Sequence, residues 1–368
     1  LLDFCIISEY INNNLKFVEN QNKKALLCVK LRKGKGVIEM ENYPKVAVIG
    51  TGYWGKNLVR NFYELGALKM FFDATPRILK EISEKFPAIE AAPSFAQILA
   101  DKEIIGIVIA TPAVTHYELA KAAMLAGKDV FVEKPMTLRA AEAEELVKIS
   151  KAENRILFVG HLLEYHPAVT WLKLLIDNGE LGEIRYLYSN RLNFGKFRTE
   201  ENVLWSFAPH DISMMIYFMG ATPEKVSTSG SSWINLGVAD VTLTRLTFPG
   251  NVFGHIFVSW LNDKKVQELV LQGEKAIAAF NDLSREKLII SPFDFNPNGK
   301  EPFPVKKTPW MVPLNPEEPL KIECREFLDC VATRRQPRTD GENGLRVVKV
   351  LETCQRSMKQ KGAKLNVK

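Results

Sequence analysis

Six residues near position 50 carry the first recognisable chemistry in this chain: Gly50-Thr51-Gly52-Tyr53-Trp54-Gly55 satisfies the pattern G-x-G-x-x-G. The pattern gains meaning from its surroundings, because an apolar run of strand length precedes it and a helix-period segment follows. In that setting Gly50 permits a tight turn, Gly52 lets the backbone approach a pyrophosphate, and Gly55 allows close helix packing. The helix N-terminus adds amide donors and a positive dipole. A purely structural turn is the alternative. Asp73, 18 residues beyond Gly55, ends the next strand, where a carboxylate accepts hydrogen bonds from adenosine ribose hydroxyls. That favours NAD over NADP, and Arg77 nearby keeps a dual preference open. Ala110-Thr111-Pro112 and Glu133-Lys134-Pro135 end two later strands, and ligands of an open α/β sheet bind beyond those carboxyl ends. Lys134 would stand beside a nicotinamide, where burial and a positive ring lower its pKa and suit it to proton transfer. A strand-end lysine in solvent is the other reading.

These residues need a parallel sheet to hold them. Val46 to Ile49, Lys69 to Phe72, Ile105 to Ala110, Asp129 to Val132 and Ile156 to Val159 read as strands buried on both faces. Helical segments lie between them at Tyr53 to Leu65, Pro76 to Phe86, Phe95 to Asp101, Thr115 to Ala126 and Ala140 to Asn154. Alternation of this kind predicts a doubly wound α/β domain. Beyond Gly160 the pattern changes to one helix at Pro167 to Asn178 and then strands at 184–193, 225–231, 241–248, 252–260, 266–272 and 276–281. A helix around Asp211 to Met219 interrupts them. Pro249-Gly250 and Gly273-Glu274 read as hairpins, so the second half is expected to be an α+β domain with an open, mainly antiparallel sheet. Eight prolines in residues 292–319 predict a long loop, and Val347, Val348, Leu351, Cys354 and Met358 form one helical stripe behind an Asp340 cap.

The 368 residues, 46% hydrophobic and 25% charged, suffice for two globular domains. We expect an N-terminal extension over 1–39, a nucleotide-binding domain over 40–162 and a substrate and oligomer domain over 163–368. Residues 1–39 alternate polar clusters with short apolar patches; Met40 is the expected natural start, and a real tail that docks on a partner is the alternative. Of the net charge of +6, half falls in residues 1–39, so the body is nearly neutral and no nucleic-acid partner is expected. No apolar run reaches the roughly 20 residues of a membrane span, so no membrane partner is expected and the location should be cytoplasmic. Five cysteines without a C-x-x-C pair read as free thiols rather than a disulfide framework or a metal site.

The fingerprint, Ala110-Thr111-Pro112 with His116, Glu133-Lys134-Pro135, Gly160-His161 and the region of His210 together resemble the glucose-fructose oxidoreductase and inositol dehydrogenase family, Gfo/Idh/MocA. The resemblance runs from about Pro44 to Lys361. It implies pyridine-nucleotide oxidation of a sugar or polyol hydroxyl, with Lys134 as the family lysine. His210 matches the family histidine near the start of a helix, and Thr111, Pro112, His116 and Glu133 join the cofactor contacts. The family commonly places Asp four residues before this histidine; here the position is Ser206. Serine cannot hold an imidazolium as a carboxylate does, so either Lys134 takes more of the proton transfer or activity falls.

Trp54-Gly55-Lys56-Asn57, Gly160 to Pro167 and Trp205 to Ser213 look most like the nucleotide-sugar branch, including UDP-N-acetylglucosamine-type 3-dehydrogenases. That likeness makes Arg191, Asn193 and Arg198 candidate substrate contacts and His161 and Tyr165 candidate cleft liners. The expectation is an NAD-dependent dehydrogenase of a UDP-linked aminosugar, working as a homodimer or homotetramer. An unlinked aldose or inositol is the near rival. A cofactor-binding regulator without turnover is the rival of another class.

Overall fold

Continuously apolar runs of five or six residues cannot be left on a surface, and in this chain helices cover both of their faces. The computed structural model describes residues 43–195, 197–199, 201–295, 304–314 and 316–368. The expected extension over 1–39, with Met40, lies outside them. Six parallel strands, β1 (Lys45–Ile49), β2 (Leu68–Phe72), β3 (Glu90–Ala91), β4 (Ile104–Ile109), β5 (Asp129–Glu133) and β6 (Leu157–Gly160), stand in the order β3-β2-β1-β4-β5-β6. Helices α1 (Gly55–Glu64), α2 (Pro76–Lys85), α3 (Phe95–Ala100), α4 (His116–Leu125) and α5 (Ala140–Ala152) connect them. Strand order reverses between β1 and β4, so the turns after these two strands open a crevice at the carboxyl edge.

A second sheet follows, carried by α6 (Pro167–Asp177), α7 (Val203–Met219) and α9 (Gly341–Lys359). Its long strands are β7 (Ile184–Phe194), β8 (Lys225–Ser231), β9 (Val241–Thr247), β10 (Phe253–Ser259), β11 (Leu261–Gly273), β12 (Ala276–Asn281) and β13 (Leu288–Phe295). Short strands β14 (Pro304–Lys306), β15 (Trp310–Met311) and β16 (Leu365–Asn366) extend it. The order is β14-β13-β12-β11-β7-β10-β9-β8-β16, with β15 on β13, and only the β7/β10 pair is parallel. The expected mainly antiparallel open sheet is therefore present. On β7, Leu187, Ser189 and Arg191 turn into the helical layer and Tyr186 and Tyr188 to the open face, the period of two expected of a half-covered strand.

Two elements differ from the sequence expectation. The helix expected around Asp211 to Met219 begins at Val203, where Asn202 accepts a cap bond from the Trp205 amide at 3.3 Å. Its Pro209 is tolerated inside. His210 thus lies in mid-helix rather than near a helix start. The proline-rich segment expected as one long loop contains the end of β13, then β14 and β15, and leads into α8 (Pro319–Thr333), whose proline occupies the first helical turn.

One helix ties the two sheets together. α9, capped by Asp340 on the Asn343 amide at 2.8 Å, packs on α5, α7 and β8, so its apolar stripe lies in one core that is continuous between the two sheets. On the other face of the first sheet, α8 packs against α1, and Phe327 meets Phe62, Phe131 and Phe158 edge to face. The crevice is fixed from both sides. Among the described residues no helix is long and apolar enough to cross a membrane, and Cys324, Cys330 and Cys354 are buried free thiols.

Candidate active site

The three fingerprint glycines have different reasons to lack a side chain. Gly50 has a φ of +82°, and a Cβ there would lie 2.8 Å from the Thr111 backbone nitrogen. At Gly55 a Cβ would stand 1.8 Å from the Gly50 carbonyl oxygen. Gly52 is different: a Cβ there would meet nothing within 4 Å. The protein itself requires the outer two, whereas the middle one leaves open the approach that a dinucleotide pyrophosphate needs at the first turn of α1. The residues fit such a group.

Asp73 braces this turn, accepting from the Thr51 amide at 2.7 Å and the Thr75 amide at 2.8 Å. It remains half-exposed at the end of β2. Tyr53 projects outward, 79% exposed, with Lys56 Nζ over its ring. Trp54 points inward, and its indole N–H donates to Glu133 Oε1 at 2.5 Å. Glu133 Oε2 accepts the Lys134 amide at 3.2 Å, and Gly160 leaves room for this carboxyl. Burial pushes the Glu133 pKa up to about 7, against the Trp54 bond and the Lys134 charge, which pull it down. Trp54 and Glu133, both expected on the cofactor, thus bond to one another.

Lys134 extends from the end of β5 to the second domain, where Nζ donates to the Ser206 carbonyl at 3.2 Å. Pro209 has no N–H for the Trp205 carbonyl, which adjoins the carbonyl that receives Lys134. Burial lowers the Lys134 pKa, opposed by Glu133 and Glu201 and aided by Arg198 and Arg191. His210 lies one turn beyond Ser206 on α7, and burial, then Lys134, Arg191 and His161, hold its imidazole well below its usual range. His161, just after β6, is lowered to about 3 by burial and by Lys134. Their polar atoms are unsatisfied: His161 Nδ1 and Nε2, Ser206 Oγ and His210 Nδ1 are buried without a hydrogen-bond partner. Lone buried imidazoles and hydroxyls are costly, and such a convergence marks a place for a ligand.

The other expected site residues divide. Arg191 and Asn193 share the helical side of β7 with this cluster, but Arg191 is buried in a two-pronged pair with Asp211, Nε to Oδ2 at 2.9 Å and Nη2 to Oδ1 at 3.0 Å. Ser189 adds a third bond to Asp211 at 2.6 Å. This fork is not open to a substrate anion, because its parallel donors are already matched. Arg198 is exposed and paired with Glu201. Tyr165 is not brought to the crevice: it stacks on Phe158 at 5.6 Å, and its hydroxyl meets Thr339 at 2.9 Å. His116 is buried between two backbone carbonyls, Thr111 and Pro135, each 2.8 Å from a ring nitrogen. It joins the loops after β4 and β5 instead of facing the crevice, while Thr111 backs the glycine turn and Pro112 is exposed at its rim. Behind Trp54 lies a pocket of about 340 Å³ lined by His166, Asp282 and Leu320. Its imidazole is engaged at both nitrogens, by the Ala168 amide at 3.0 Å and Asp282 at 3.5 Å.

The fold and this site define a class, and comparison with known proteins agrees. The chain matches the model for the oxidoreductase family with an NAD-binding Rossmann fold over residues 44–161 and the GFO/IDH/MocA C-terminal domain over 169–279. It belongs to the Gfo/Idh/MocA oxidoreductases. It is 26% identical to the UDP-N-acetylglucosamine 3-dehydrogenase of Acidithiobacillus ferrooxidans over 83% of this chain and 94% of that one. The solved structure of that enzyme superposes with a TM-score of 0.76 at 24% identity, over 86% of this chain and 98% of the other. A levoglucosan dehydrogenase in complex with NADH and L-sorbose superposes with a TM-score of 0.77 at 21% identity, over 89% and 100% of the two chains.

Proposed function

We propose that this oxidoreductase oxidises a secondary hydroxyl of a sugar with NAD, a nucleotide-linked aminosugar being the first substrate to consider. The observation that supports this reading is the convergence of Lys134 with the unpartnered imidazole nitrogens of His161 and His210, which feel its charge, while Lys134 Nζ reaches the Ser206 carbonyl beyond the strand end that also carries Glu133. The nicotinamide, when bound, accepts the hydride. Gly50, Thr51, Gly52 and Gly55 would hold its pyrophosphate at the α1 N-terminus, and Asp73 would accept from the ribose hydroxyls, which disfavours a 2′-phosphate. Lys134 Nζ takes the hydroxyl proton, burial lowering its pKa and so favouring the free amine, against the Glu133 charge. His210 Nδ1 and His161 hold the sugar hydroxyls in line.

An unlinked sugar is the second reading, favoured by the engagement of Arg191 with Asp211 and of Arg198 with Glu201. A second copy of the chain would cover the open sheet face at Tyr186, Tyr188, Phe253 and His255, giving a homo-oligomer. The test follows nicotinamide absorbance with a panel of UDP-aminosugars, uronates, aldoses and inositols. Lys134→Ala should lower kcat by about 10²–10⁴-fold with NAD binding retained, the usual scale for general acid–base groups. His210→Ala should lose less. Silence across the panel, or an unchanged rate in Lys134→Ala, overturns the reading.

A further inference from the structure

Glu323 on α8 is fully buried, and neither of its carboxyl oxygens has a hydrogen-bond partner. Its place follows from the helix face that carries it. Leu320, Cys324 and Phe327 share that face and enter the core under the first sheet. Phe327 meets Phe131 of β5 and Phe158 of β6, each at 5.6 Å, while Leu320 lines the pocket behind Trp54 with Leu162 and Leu163. α8 therefore runs against the strands, with its start at their carboxyl ends. Glu323 precedes Phe327 by four residues, about 6 Å of helix. Glu133 follows Phe131 by two, about 7 Å of strand and on the same side of the sheet. Glu164 reaches this level from the turn Leu162–Tyr165, between Leu163 of that pocket and Tyr165, which stacks on Phe158. The charges of Glu133 and Glu164 both reach Glu323 and oppose its ionisation, as burial does.

Donors separate the three carboxyls. Glu133 accepts from the Trp54 indole and the Lys134 amide, and Glu164 Oε1 accepts from the Ser213 hydroxyl and from Asn343 Nδ2 at 3.3 Å. Glu323 accepts from none. A carboxylate without donors is the costliest of the three to bury, so Glu323 holds a proton. An acid with both oxygens open can take a proton on one and release its own from the other. Glu164 Oε2 is also unpartnered, and water would span the gaps between such oxygens.

Taking Lys134 as the group that accepts the hydroxyl proton, we propose that Glu323 relays this proton out of the crevice, receiving it by way of Glu133 and passing one on to Glu164, while sugar and cofactor still fill the mouth. The substrate O–H bond breaks toward Lys134 Nζ, and its electron pair forms the carbonyl as hydride leaves for the nicotinamide. Nζ returns to the free amine by giving a proton to the Glu133 carboxylate. Glu133 gives one to Glu323, which gives its own to Glu164, so one proton enters at Lys134 and one leaves at Glu164. On the outer side the half-buried Arg338 donates to the Glu164 carbonyl, and Arg338 and Arg346 both bear on the Glu164 carboxyl. Burial holds the neighbouring Tyr165 hydroxyl and Cys324 thiol protonated, so neither competes for the proton.

The full chain is mixed in dilute buffer with NAD and a sugar of the panel that reduces it, and NADH absorbance and a pH-indicator dye are recorded together through the first turnover. In wild type the proton is expected in step with NADH. Glu323→Gln keeps the size and neutrality of the acid but cannot pass a proton: NADH should form at the wild-type rate, and the dye should lag on the order of tenfold or more, toward the loss typical of an acid–base group. Glu164→Gln, one step further out, should lag likewise. Without any sugar, the infrared carbonyl band of protonated carboxyls should weaken in Glu323→Gln. Signals in step in either variant, NADH and proton slowed equally, or an unchanged infrared band overturns the relay and leaves the dehydrogenase reading standing. If no sugar reduces NAD, both fall.

Discussion

The fingerprint glycines offer a sharp separation between folding and cofactor binding. A methyl at position 55 would sit 1.8 Å from the Gly50 carbonyl oxygen. Ordinary C···O contacts lie at about 3.3 Å, so the backbone must open by about 1.5 Å. The obstacle is backbone, and Gly50 itself is held at a φ of +82°. Gly55→Ala should therefore cost at least about 3 kcal/mol, the upper end of overpacking penalties. At about 2 °C per kcal/mol for a chain of this size, the melting temperature falls by several degrees. A methyl at position 52 meets nothing within 4 Å, so Gly52→Ala should melt within about 1 °C of wild type. In the bound state that methyl occupies the path of the pyrophosphate. Losing one charge-assisted bond at about 1.5–3 kcal/mol weakens NADH by roughly 10–150-fold. Thermal melts without cofactor and NADH fluorescence titrations read the two quantities apart. Full NADH affinity in Gly52→Ala, or a wild-type melting temperature in Gly55→Ala, would refute the reasoning.

Two further outcomes are expected. Burial raises the Glu164 pKa from 4.5 to about 7, above its unfolded value, so its contribution to stability is fully present below pH 4.5 and is lost as pH rises through about 7. At about 1.4 kcal/mol per unit that is about 3 kcal/mol, and the urea midpoint of Glu164→Gln should fall less than wild type between about pH 5 and about pH 8; parallel pH slopes would contradict it. His116→Ala removes the single N–H that the neutral imidazole donates to one of the Thr111 and Pro135 carbonyls, together with its buried ring, and should cost about 1–3 kcal/mol in chemical denaturation, whereas a variant as stable as wild type would show that these contacts carry no weight.

How much of this was legible in the sequence depended on whether the cause was local. The strands at Val46 to Ile49 and Asp129 to Val132 came within a residue of their ends, because continuous apolarity and flanking glycines act over a few positions. Glu90–Ala91 escaped notice, being two residues long and not apolar. Pro209 hid the first two turns of α7, since a proline normally ends a helix and the Asn202 cap lies seven residues upstream. Lys134 and His210 were readable as candidates from strand-end position and family likeness. Their surroundings were not, because the Trp54–Glu133 bond spans 79 residues and the Arg191–Asp211 pair joins a strand to a helix. Pairing at that range leaves no mark on local spacing. Tyr165 shows the converse: its place next to His161 and the start of the second domain suggested a cleft wall, yet aromatic stacking on Phe158 turned it into the core.

In the proposed reaction, serine at position 206 would redistribute the chemistry rather than remove it. An imidazolium at position 210 would be buried, with the Lys134 and Arg191 charges opposing it and no free carboxylate one turn away to support it, so His210 stays neutral and serves as a hydrogen-bonding group. The amine is placed differently. Lys134 adjoins the Glu133 carboxyl, whose charge favours the protonated amine while burial disfavours it, and these opposed effects bring the amine toward the range where it can both take and release a proton. Glu133 is itself held in place, because the Trp54 indole and the Lys134 amide stabilise its ionised form against burial. The turn that would receive the dinucleotide therefore also fixes, through Trp54, the carboxylate beside the amine. In the proposed reaction proton transfer would fall to Lys134, with the charge balance beside its amine set through the Trp54–Glu133 bond of the fingerprint loop instead of by an acidic residue at position 206 of α7.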